Sequence, residues 1–403
     1  MKKIIFLLIL APCALLASAQ NSRMVVQSNT IFEAPAEAFT YHNFRIPSFL
    51  VSKSDVYYAF IEGREGKNAD HAENDIVMRR SFNGGEHWTT TQIVTQDGKN
   101  CTMNPTVVEG KNGRIILTYL WFPHKFHTSS NPSQGITMCD PGYEGRISKN
   151  YVIYSDNQGE TWSTPIDVTK IFKLSEETVI AMPGPGLGVS IQKGKYRGRI
   201  VIPLCDVTKN GDWLKFLVYA AWSDDNGLTW EVGERVTPTA EGEGGDEVQI
   251  VELSNNTLML NTRTRSGHRA LAYSHDGGAT WSNLKLETTL VDTGCMGSTL
   301  NYTNGKTKIL LASTVTARFE NRRRGKAILY GSLNEGKSWK ELDVIYTDKF
   351  DYGVMQQLPN GNVGLLAEYD FNGERAVTKL TELDINQIIK KMSTSSSLEP
   401  SGK

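Results

Sequence analysis

The sequence lacks the features that mark most metal, redox and nucleic-acid-binding proteins. It has five cysteines in 403 residues, no CxxC pair, no HExxH motif and only seven scattered histidines, so we expect no transition-metal site and no cofactor. Its 43 basic and 44 acidic residues balance, which gives no support for binding to nucleic acid or to an anionic membrane surface.

Long apolar runs are confined to the start of the chain. Lys2 and Lys3 precede an apolar stretch from Ile4 to Leu16, and residues 17–19, Ala-Ser-Ala, form a small-residue cleavage signal. We expect residues 1–19 to be a secretory signal peptide and the mature protein to be exported, to the periplasm or to the cell surface and medium. The stretch is short for a bilayer, so a retained anchor is the less favoured reading.

Helical periodicity is also scarce. Between residues 40 and 375 the chain consists mostly of short β-rich runs such as "GRIILTYLW" and "TLMLNTR". The exception is "DINQIIKKM", where Ile385, Ile388, Ile389 and Met392 follow helical spacing. This predicts a short C-terminal helix, followed by a disordered tail over residues 393–403.

Once the signal peptide is removed, four cysteines remain, and their wide spacing does not form a disulfide framework. Bridges and isolated buried thiols both stay open for them; they are Cys101, Cys139, Cys205 and Cys295.

Five segments share the pattern Ser-x-Asp/Asn-x-Gly-x-x-Trp. Repetition of one pattern at intervals of 51 to 74 residues is typical of propellers and solenoids. The Asp or Asn and the Gly suit a hairpin turn with positive φ, and the Trp can begin the next strand and cover the turn. The segments begin at Ser81, Ser155, Ser223, Ser274 and Ser332.

These segments resemble the Asp boxes of the sialidase superfamily. The resemblance implies an all-β fold, a six-bladed β-propeller of four-stranded blades, over residues 20–392. In that superfamily the boxes lie far from the active site, so they indicate the fold and carry no catalysis.

Three arginines stand beside apolar, strand-like runs: Arg45 within "FRIP", Arg263 after "LMLNT" and Arg324 before "GKAILYGS". Each alone could cover apolar surface with its stem while its head reaches water. Three converging guanidinium groups would repel one another unless an anion lies between them, and a carboxylate ligand supplies one through bidentate hydrogen bonds.

The "FRIP" segment resembles the motif that precedes the first Asp box in sialidases. The resemblance implies that Arg45, Arg263 and Arg324 grip the carboxylate of sialic acid. Arg322 and Arg323 stay open as alternatives for the third position.

The segment "FIEGREGKNADHAEND" resembles the sialidase region between this motif and the first box. It implies that Arg64 contacts the sugar ring or its carboxylate and that Asp70 is the acid/base catalyst. Glu65, Glu73 and Asp75 are acidic alternatives in the same region.

Towards the end of the chain, Tyr352 matches the sialidase nucleophile, and Glu247 matches the residue that activates it. Glu368 matches the acid that braces the first arginine, while Asp246 and Glu243 are rivals of Glu247. A neutral phenol avoids the repulsion that an attacking carboxylate would meet from the substrate carboxylate, and its ordinary pKa near 10 explains the need for a base.

Asn104, within "CTMNPTVV", matches a strand that contacts O4 and the N-acetyl group of the sugar, where the family often has Asp. The leading expectation is an exported, monomeric, retaining exo-α-sialidase that hydrolyses terminal α-linked sialic acids from glycans, glycoproteins or glycolipids. The alternatives are a trans-sialidase, a hydrolase of a related nonulosonic acid, and a non-catalytic propeller that binds sialoglycans. The last would need the arginines but not Asp70, Glu247 and Tyr352 together.

Overall fold

The structure is a computed structural model that describes residues 23–34, 41–66, 69–211, 213–319, 324–372 and 375–394. The expected signal peptide, the alternatives Arg322 and Arg323, and residues 395–403 of the expected tail lie outside the described residues.

Antiparallel strands arranged as six blades make up nearly all of the fold. Several strands nearest the axis are buried along their whole length, which accounts for the continuous apolar runs in the sequence. Strand β1 (Val25–Phe32) comes first in the chain but belongs to the sixth blade. The first blade comprises β2 (Tyr41–Val51), β3 (Tyr57–Glu65), β4 (Asn74–Ser81) and β5 (Gln92–Thr95).

The second and third blades carry short additional strands. The second comprises β6 (Cys101–Glu109), β7 (Ile115–Phe122), β10 (Lys149–Ser155) and β11 (Ile166–Asp167), with β8 (Phe126–His127) and β9 (Thr137–Met138) inserted after β7. The third comprises β12 (Thr178–Pro183), β15 (Ile200–Asn210), β16 (Trp213–Ser223) and β17 (Glu231–Val232). Between β12 and β15, β13 (Gly186–Leu187) pairs in parallel with β6, and β14 (Val189–Ser190) pairs with β15.

The last three blades complete the ring. The fourth comprises β18 (Val248–Glu252), β19 (Leu258–Thr262), β20 (His268–Ser274) and β21 (Lys285–Val291). The fifth comprises β22 (Ser298–Asn304), β23 (Thr307–Arg318), β24 (Arg324–Ser332) and the first part of β25 (Lys340–Gln357). The sixth comprises the second part of β25, β26 (Val363–Asn372), β27 (Arg375–Leu383) and β1.

The fifth and sixth blades share one long strand and therefore form a single seven-stranded sheet. The first part of β25 pairs with β24 up to Lys349, and the second part pairs with β26 from Phe350 onward. The ring closes where β1 pairs with β27, supported by a 2.7 Å hydrogen bond from Gln27 Nε2 to Glu382 Oε2. The predicted six-bladed β-propeller is confirmed.

The five Asp boxes follow the third strands of blades one to five and use one set of hydrogen bonds. In each, the serine hydroxyl donates to the Asp or Asn two residues on and accepts from the glycine N–H four residues on, all at 2.8–2.9 Å. Trp230 and Trp339 directly precede the next strand, as expected. The other three box tryptophans lie four residues before theirs, so the prediction that the Trp begins the next strand is wrong for Trp88, Trp162 and Trp281. Trp88 instead donates its indole N–H back to the Gly85 carbonyl, at 3.0 Å.

The described residues form few and short helices: α1 (Thr169–Phe172), α2 (Ile385–Ser393) and the single 3₁₀ turns Lys111–Gly113 and Pro132–Gln134. The predicted C-terminal helix is confirmed as α2, which begins after Asp384, whose side chain caps the N–H of Asn386 at 2.8 Å. The four cysteines that the structure describes are buried free thiols.

Candidate active site

The predicted site residues gather at the end of the propeller opposite the Asp boxes. Each box begins at the last residue of a third strand, so the starts of first and third strands and the ends of second strands lie on the other face. Arg45 and Arg324 lie near the starts of β2 and β24, Glu247 immediately precedes β18, and Arg263 immediately follows β19. Antiparallel pairing within each blade therefore places charged residues from distant parts of the chain on one face.

Tyr352 is the buried centre of this group. Its side chain is only 6% exposed, and its hydroxyl donates a short hydrogen bond to Glu247 Oε1. Arg263 NH1 donates to the other carboxylate oxygen, Glu247 Oε2, at 2.9 Å and lies 3.5 Å from the tyrosine oxygen. The phenol, the carboxylate and the guanidinium thus form one hydrogen-bonded cluster.

The backbone holds Glu247 and Arg263 together. The N–H of Arg263 donates to the Glu247 carbonyl at 2.9 Å, and the N–H of Asp246 donates to the Arg263 carbonyl at 3.0 Å. These two bonds extend the β18–β19 pairing by one step. The short hairpin between the two strands therefore fixes their side chains side by side.

Arg45 and Arg324 approach the same tyrosine from other blades. Their guanidinium carbons lie 5.5 and 5.3 Å from the centre of the Tyr352 ring. Asp351 joins the two, because its carboxylate lies 3.2 Å from Arg45 NH2 and 3.0 Å from Arg324 Nε. The three predicted clamp arginines thus surround Tyr352, as the site hypothesis requires.

Arg45 is braced from behind by Glu368, which is fully buried. Glu368 Oε2 accepts from Arg45 Nε at 2.7 Å, and Oε1 accepts from the backbone N–H of Ile46, also at 2.7 Å. Ile46 has a φ of 61°, an unfavourable conformation for a β-branched residue, and it lies in a bulge of β2 that ends at Pro47. The bulge turns the Arg45 side chain and the Ile46 N–H towards the same carboxylate.

Arg64 and Asp70 form a second cluster beside the first. Arg64 is 1% exposed and donates from Nε and NH2 to Glu62 Oε2, at 3.0 and 2.7 Å. Its NH1 donates to Asp70 Oδ1 at 2.9 Å, and the Asp70 side chain is 61% exposed on the face of the propeller. A buried cation therefore links one buried and one accessible carboxylate.

The charges of the site shift the pKa values of its members. Partial desolvation among the surrounding groups raises the pKa of Asp70, but Arg64, followed by Arg45 and His127, lowers it well below the usual range. Burial and the neighbouring Glu247 raise the pKa of Tyr352 well above its usual value, although Arg263 and Arg324 oppose that rise. In the free protein Asp70 is ionised and Tyr352 is a neutral phenol.

Asn104 lies at the edge of the second cluster. Its backbone N–H donates to Glu62 Oε1 at 2.8 Å, and its side-chain amide donates to the Pro183 carbonyl at 3.1 Å. It is 4% exposed. The structure thus places its amide nitrogen against the third blade.

The rival residues take other positions. Asp75 accepts a 2.7 Å hydrogen bond from the Tyr41 hydroxyl, and Glu73 lies 3.8 Å from His124 Nδ1. Glu243 accepts from the Arg265 N–H at 3.1 Å. Asp246 lies 3.7 Å from Arg263 Nε, but it is Glu247 that receives the tyrosine hydroxyl.

Glu65, the remaining rival of Asp70, is the last residue of β3, where its backbone N–H donates to the Glu73 carbonyl at 2.9 Å. Among these acids, it is Asp70 that pairs with Arg64.

Three residues at this site were missed by sequence reasoning: Glu62, Asp351 and His127. Glu62 had a usable signal, because it interrupts the apolar run Phe60–Ile61 of a buried strand, as Arg45 interrupts β2. Asp351 directly precedes Tyr352. His127 lies in the insertion after β7, and sequence gave no sign that this insertion would bring it near Asp70.

Among the residues that the structure describes, no group of three or more His, Cys, Asp or Glu side chains could hold a metal ion. Nor does the described part of the chain contain a helix long and apolar enough to span a membrane.

A family model described as "BNR repeat-like domain" matches residues 57–365, which is most of the chain. The chain belongs to the BNR repeat-like family. The match extends from the β3 strand of the first blade to the β26 strand of the sixth, so it covers the repeats and most of the site.

Several curated proteins that are similar to this chain are bacterial sialidases. A sialidase of Micromonospora viridifaciens is 26% identical over 339 residues, which cover 81% of this chain and 50% of that protein. The predicted resemblance to sialidases is confirmed. The chain spans half of the length of the Micromonospora relative and three quarters of a sialidase from Paraclostridium sordellii.

Solved structures with the same fold include two intramolecular trans-sialidases. The leech enzyme, in complex with 2,7-anhydro-Neu5Ac, has a TM-score of 0.73 and 19% identity, over 91% of this chain and 71% of its own. The enzyme from Ruminococcus gnavus, in complex with oseltamivir carboxylate, has a TM-score of 0.71 and 21% identity, over 91% of this chain and 99% of its own. At these identities the likeness concerns the fold.

Proposed function

We propose that the protein is an exo-α-sialidase, a glycoside hydrolase that removes terminal α-linked sialic acid with retention of configuration. The observation that carries this proposal is the Tyr352 hydroxyl hydrogen-bonded to Glu247 inside a ring of three arginines. A phenol with an adjacent base is an activated nucleophile, and the arginines supply the anion site that a carboxylate-bearing sugar needs.

Substrate binding rests on Arg45, Arg263 and Arg324. Each already has a carboxylate partner in the protein, Glu368, Glu247 and Asp351 respectively, so the arginines are oriented before substrate arrives. An incoming carboxylate meets three guanidinium groups from the first, fourth and fifth blades. Asn104 is assigned to the pocket wall, beside the ring substituents.

The first chemical step forms a bond between the Tyr352 oxygen and the anomeric carbon while the glycosidic bond breaks. Glu247 takes the phenolic proton, and Asp70 in its protonated form gives a proton to the leaving glycosidic oxygen. In the second step Asp70 takes a proton from water, the water oxygen bonds to the anomeric carbon, and Tyr352 leaves and regains its proton from Glu247. Two displacements on the same carbon give retention.

Asp70 must change its protonation state for this sequence. In the free protein its pair with Arg64 keeps it ionised. A substrate carboxylate bound among the arginines neutralises part of the positive charge near Asp70, which raises its pKa towards that of a working acid.

We further propose that residues 1–19 are a signal peptide, that residues 20–392 form the catalytic propeller, and that the enzyme acts outside the cytoplasm as a monomer on sialylated glycans, glycoproteins or glycolipids. The resemblance of the first residues to a secretory signal supports export.

A second candidate is an intramolecular trans-sialidase, favoured by the likeness to the leech and Ruminococcus enzymes. It shares the binding step and the tyrosyl intermediate, but a hydroxyl of the sugar itself would replace water. Free sialic acid and an internal anhydro product differ in mass by one water molecule.

The test is incubation of the purified protein with 3'-sialyllactose and with a fluorogenic sialoside, with product analysis by mass spectrometry, in the presence and absence of a chelator. We expect free sialic acid to be released in both conditions. An anhydro product would establish the second candidate, and binding of the glycan without any release would establish a non-catalytic propeller.

A further inference from the structure

Two buried glutamates occupy the same place in neighbouring blades. Glu368 lies on the second strand of the sixth blade and Glu62 on the second strand of the first, and both are fully buried. Each accepts the backbone N–H of a positive-φ residue in the next blade: Ile46 at 2.7 Å for Glu368, and Asn104 at 2.8 Å for Glu62. In both cases a proline follows and the strand bulges.

Each glutamate uses its second oxygen to hold an arginine of the site. Glu368 Oε2 accepts from Arg45 Nε at 2.7 Å, and Glu62 Oε2 accepts from Arg64 NH2 at 2.7 Å and from its Nε at 3.0 Å. The sialidase resemblance covered Glu368 but not Glu62. Glu62 therefore holds Arg64 in place through its carboxylate, as Glu368 holds Arg45.

Arg64 differs from Arg45 because its other partner is Asp70, which the proposed reaction must protonate. Breaking a buried ion pair so that the guanidinium is left without an anion is strongly destabilising. With Asp70 as the only counter-ion, each protonation would carry that penalty. Glu62, which is buried and makes two hydrogen bonds to Arg64, removes it.

We propose, on the basis of the proposed function, that Glu62 is the permanent counter-ion of Arg64 and thereby a positioning residue that frees Asp70 to alternate between its ionised and protonated forms. Asp70 then contributes little to the stability of Arg64 in its buried position. Glu62 contributes most of it.

The charges around Asp70 fit this role. Arg64 from β3, Arg45 from β2 and His127 from β8 favour its ionised form, while Glu62 from β3 opposes them, and the Cys101 thiol from β6 contacts its backbone carbonyl at 3.6 Å. His71 adjoins it in the chain, with its ring 6.1 Å from that of His127. Burial lowers the pKa of Arg64, but Glu62 and then Asp70 raise it above its usual value. Burial raises the pKa of Glu62 above its usual value, and Arg64 and the Asn104 N–H offset only part of that rise.

The first test compares the thermal stability of Glu62→Gln with that of Asp70→Asn. Glu62→Gln should lower the melting temperature by about 5–10 °C or abolish folding, whereas Asp70→Asn should change it by less than about 2 °C. Equal losses in the two variants, or a larger loss in Asp70→Asn, would overturn the proposal. This comparison does not depend on activity, so it stands even if the proposed function fails.

The second test measures kcat against pH for Glu62→Gln, because kcat reports the pKa of Asp70 in the enzyme–substrate complex, with Glu62→Asp as the charge-preserving variant. Without the Glu62 charge, Arg64 holds Asp70 more strongly in its ionised form. The high-pH limb of the profile should therefore shift to lower pH by about one unit, which lowers the rate at pH values above the limb about tenfold. Glu62→Asp should keep the limb in place. If the pH of the high-pH limb is the same in Glu62→Gln as in the wild type, the proposal is contradicted, whatever the overall rate.

A matched control is Asp206→Asn. Asp206 is another fully buried carboxylate paired with an arginine, Arg235, at 2.6 Å in the third blade. Its loss should lower the melting temperature and leave the pH limb where it is. Movement of the limb in this variant as well would show that the shift follows from general destabilisation.

Discussion

The two end faces of this propeller are built in opposite ways. One carries the same turn five times, held by short-range hydrogen bonds whose lengths agree within 0.1 Å. The other gathers charged residues that occur once each, contributed by the first, fourth, fifth and sixth blades, and its contacts join residues up to 323 positions apart in the chain. The repeated turns on one face stabilise each blade in the same way. The other face carries different residues in each blade, and these form a single specific site.

The largest expected effect lies at the centre of the site face. Tyr352→Phe removes the nucleophilic oxygen and should lower kcat by at least about a thousandfold. Binding of a sialic acid analogue, measured by calorimetry, should change by less than about threefold, because the three arginines remain.

The matched control is Tyr369→Phe. Tyr369 is a buried tyrosine of the sixth blade whose hydroxyl donates to Thr381 Oγ1 at 2.8 Å. This variant should retain activity. Near-normal turnover in Tyr352→Phe would refute the tyrosine mechanism.

Next comes the carboxylate clamp. Arg45→Lys keeps a charge but loses the planar donors that face Glu368 and the ligand, so the Kd for sialic acid should rise about 10- to 100-fold. Arg199→Lys makes the same change on the Asp-box face, where Arg199 holds Asp224 at 2.7 and 2.9 Å. If both variants bound sialic acid as tightly as the wild type, Arg45 would not belong to the clamp.

A smaller effect concerns acid stability on the site face. Burial lowers the pKa of His127 from 6.5 to about 4, with Asp70 opposing that shift. The unfolded chain therefore binds a proton at this residue before the folded one does, and stability is lost as the pH falls from about 6.5 towards 4. His127→Gln should reduce this loss by about 1–3 kcal/mol, measured by urea unfolding at both ends of the range.

His87→Gln, at an exposed histidine of the first Asp box, controls for removal of a histidine as such. An unchanged pH dependence in His127→Gln would show that His127 is not the group responsible.

The smallest effect is expected on the repeated face. Ser223→Ala leaves the buried Gly227 N–H without its acceptor and removes one of the hydrogen bonds to Asp225 Oδ1, which should cost about 1–2 kcal/mol of stability. The kcat/KM should stay unchanged. A clear fall in kcat/KM at a temperature where the variant is fully folded would mean that the two faces are coupled.

Sequence reasoning succeeded on the two faces for different reasons. The turns on the box face are local, since the serine, the Asp or Asn and the glycine lie within five residues, so their pattern can be found in the chain itself. The site residues are far apart in sequence, and resemblance, not spacing, assigned them. The structure brings together Tyr352, Glu247 and the three arginines in one cluster.

The hydrogen bonds and ion pairs that join these residues could not be predicted from the sequence. Glu62 and Asp351 are buried acids that lie within two positions of an assigned residue. The apolar run before Glu62 could have marked it as buried, but nothing in the sequence shows which groups either acid contacts. Only the bulges at Ile46 and Asn104, which turn backbone N–H groups towards Glu368 and Glu62, give the two glutamates their places. Such bulges depend on packing between blades and leave no local pattern beyond a following proline.

The pairing of β1 with β27 has a consequence for how the protein folds. The sixth blade is complete only when a strand from the first thirty or so residues meets one from near residue 380, a separation of 355 residues for the pair Gln27–Glu382. Contacts of such long range are formed late and slow the folding of β proteins, because the loop must close before they contribute. Glu368, which holds Arg45 of the first blade, lies on β26 of the same sixth blade. The clamp therefore depends on a blade whose strands come from both ends of the described chain.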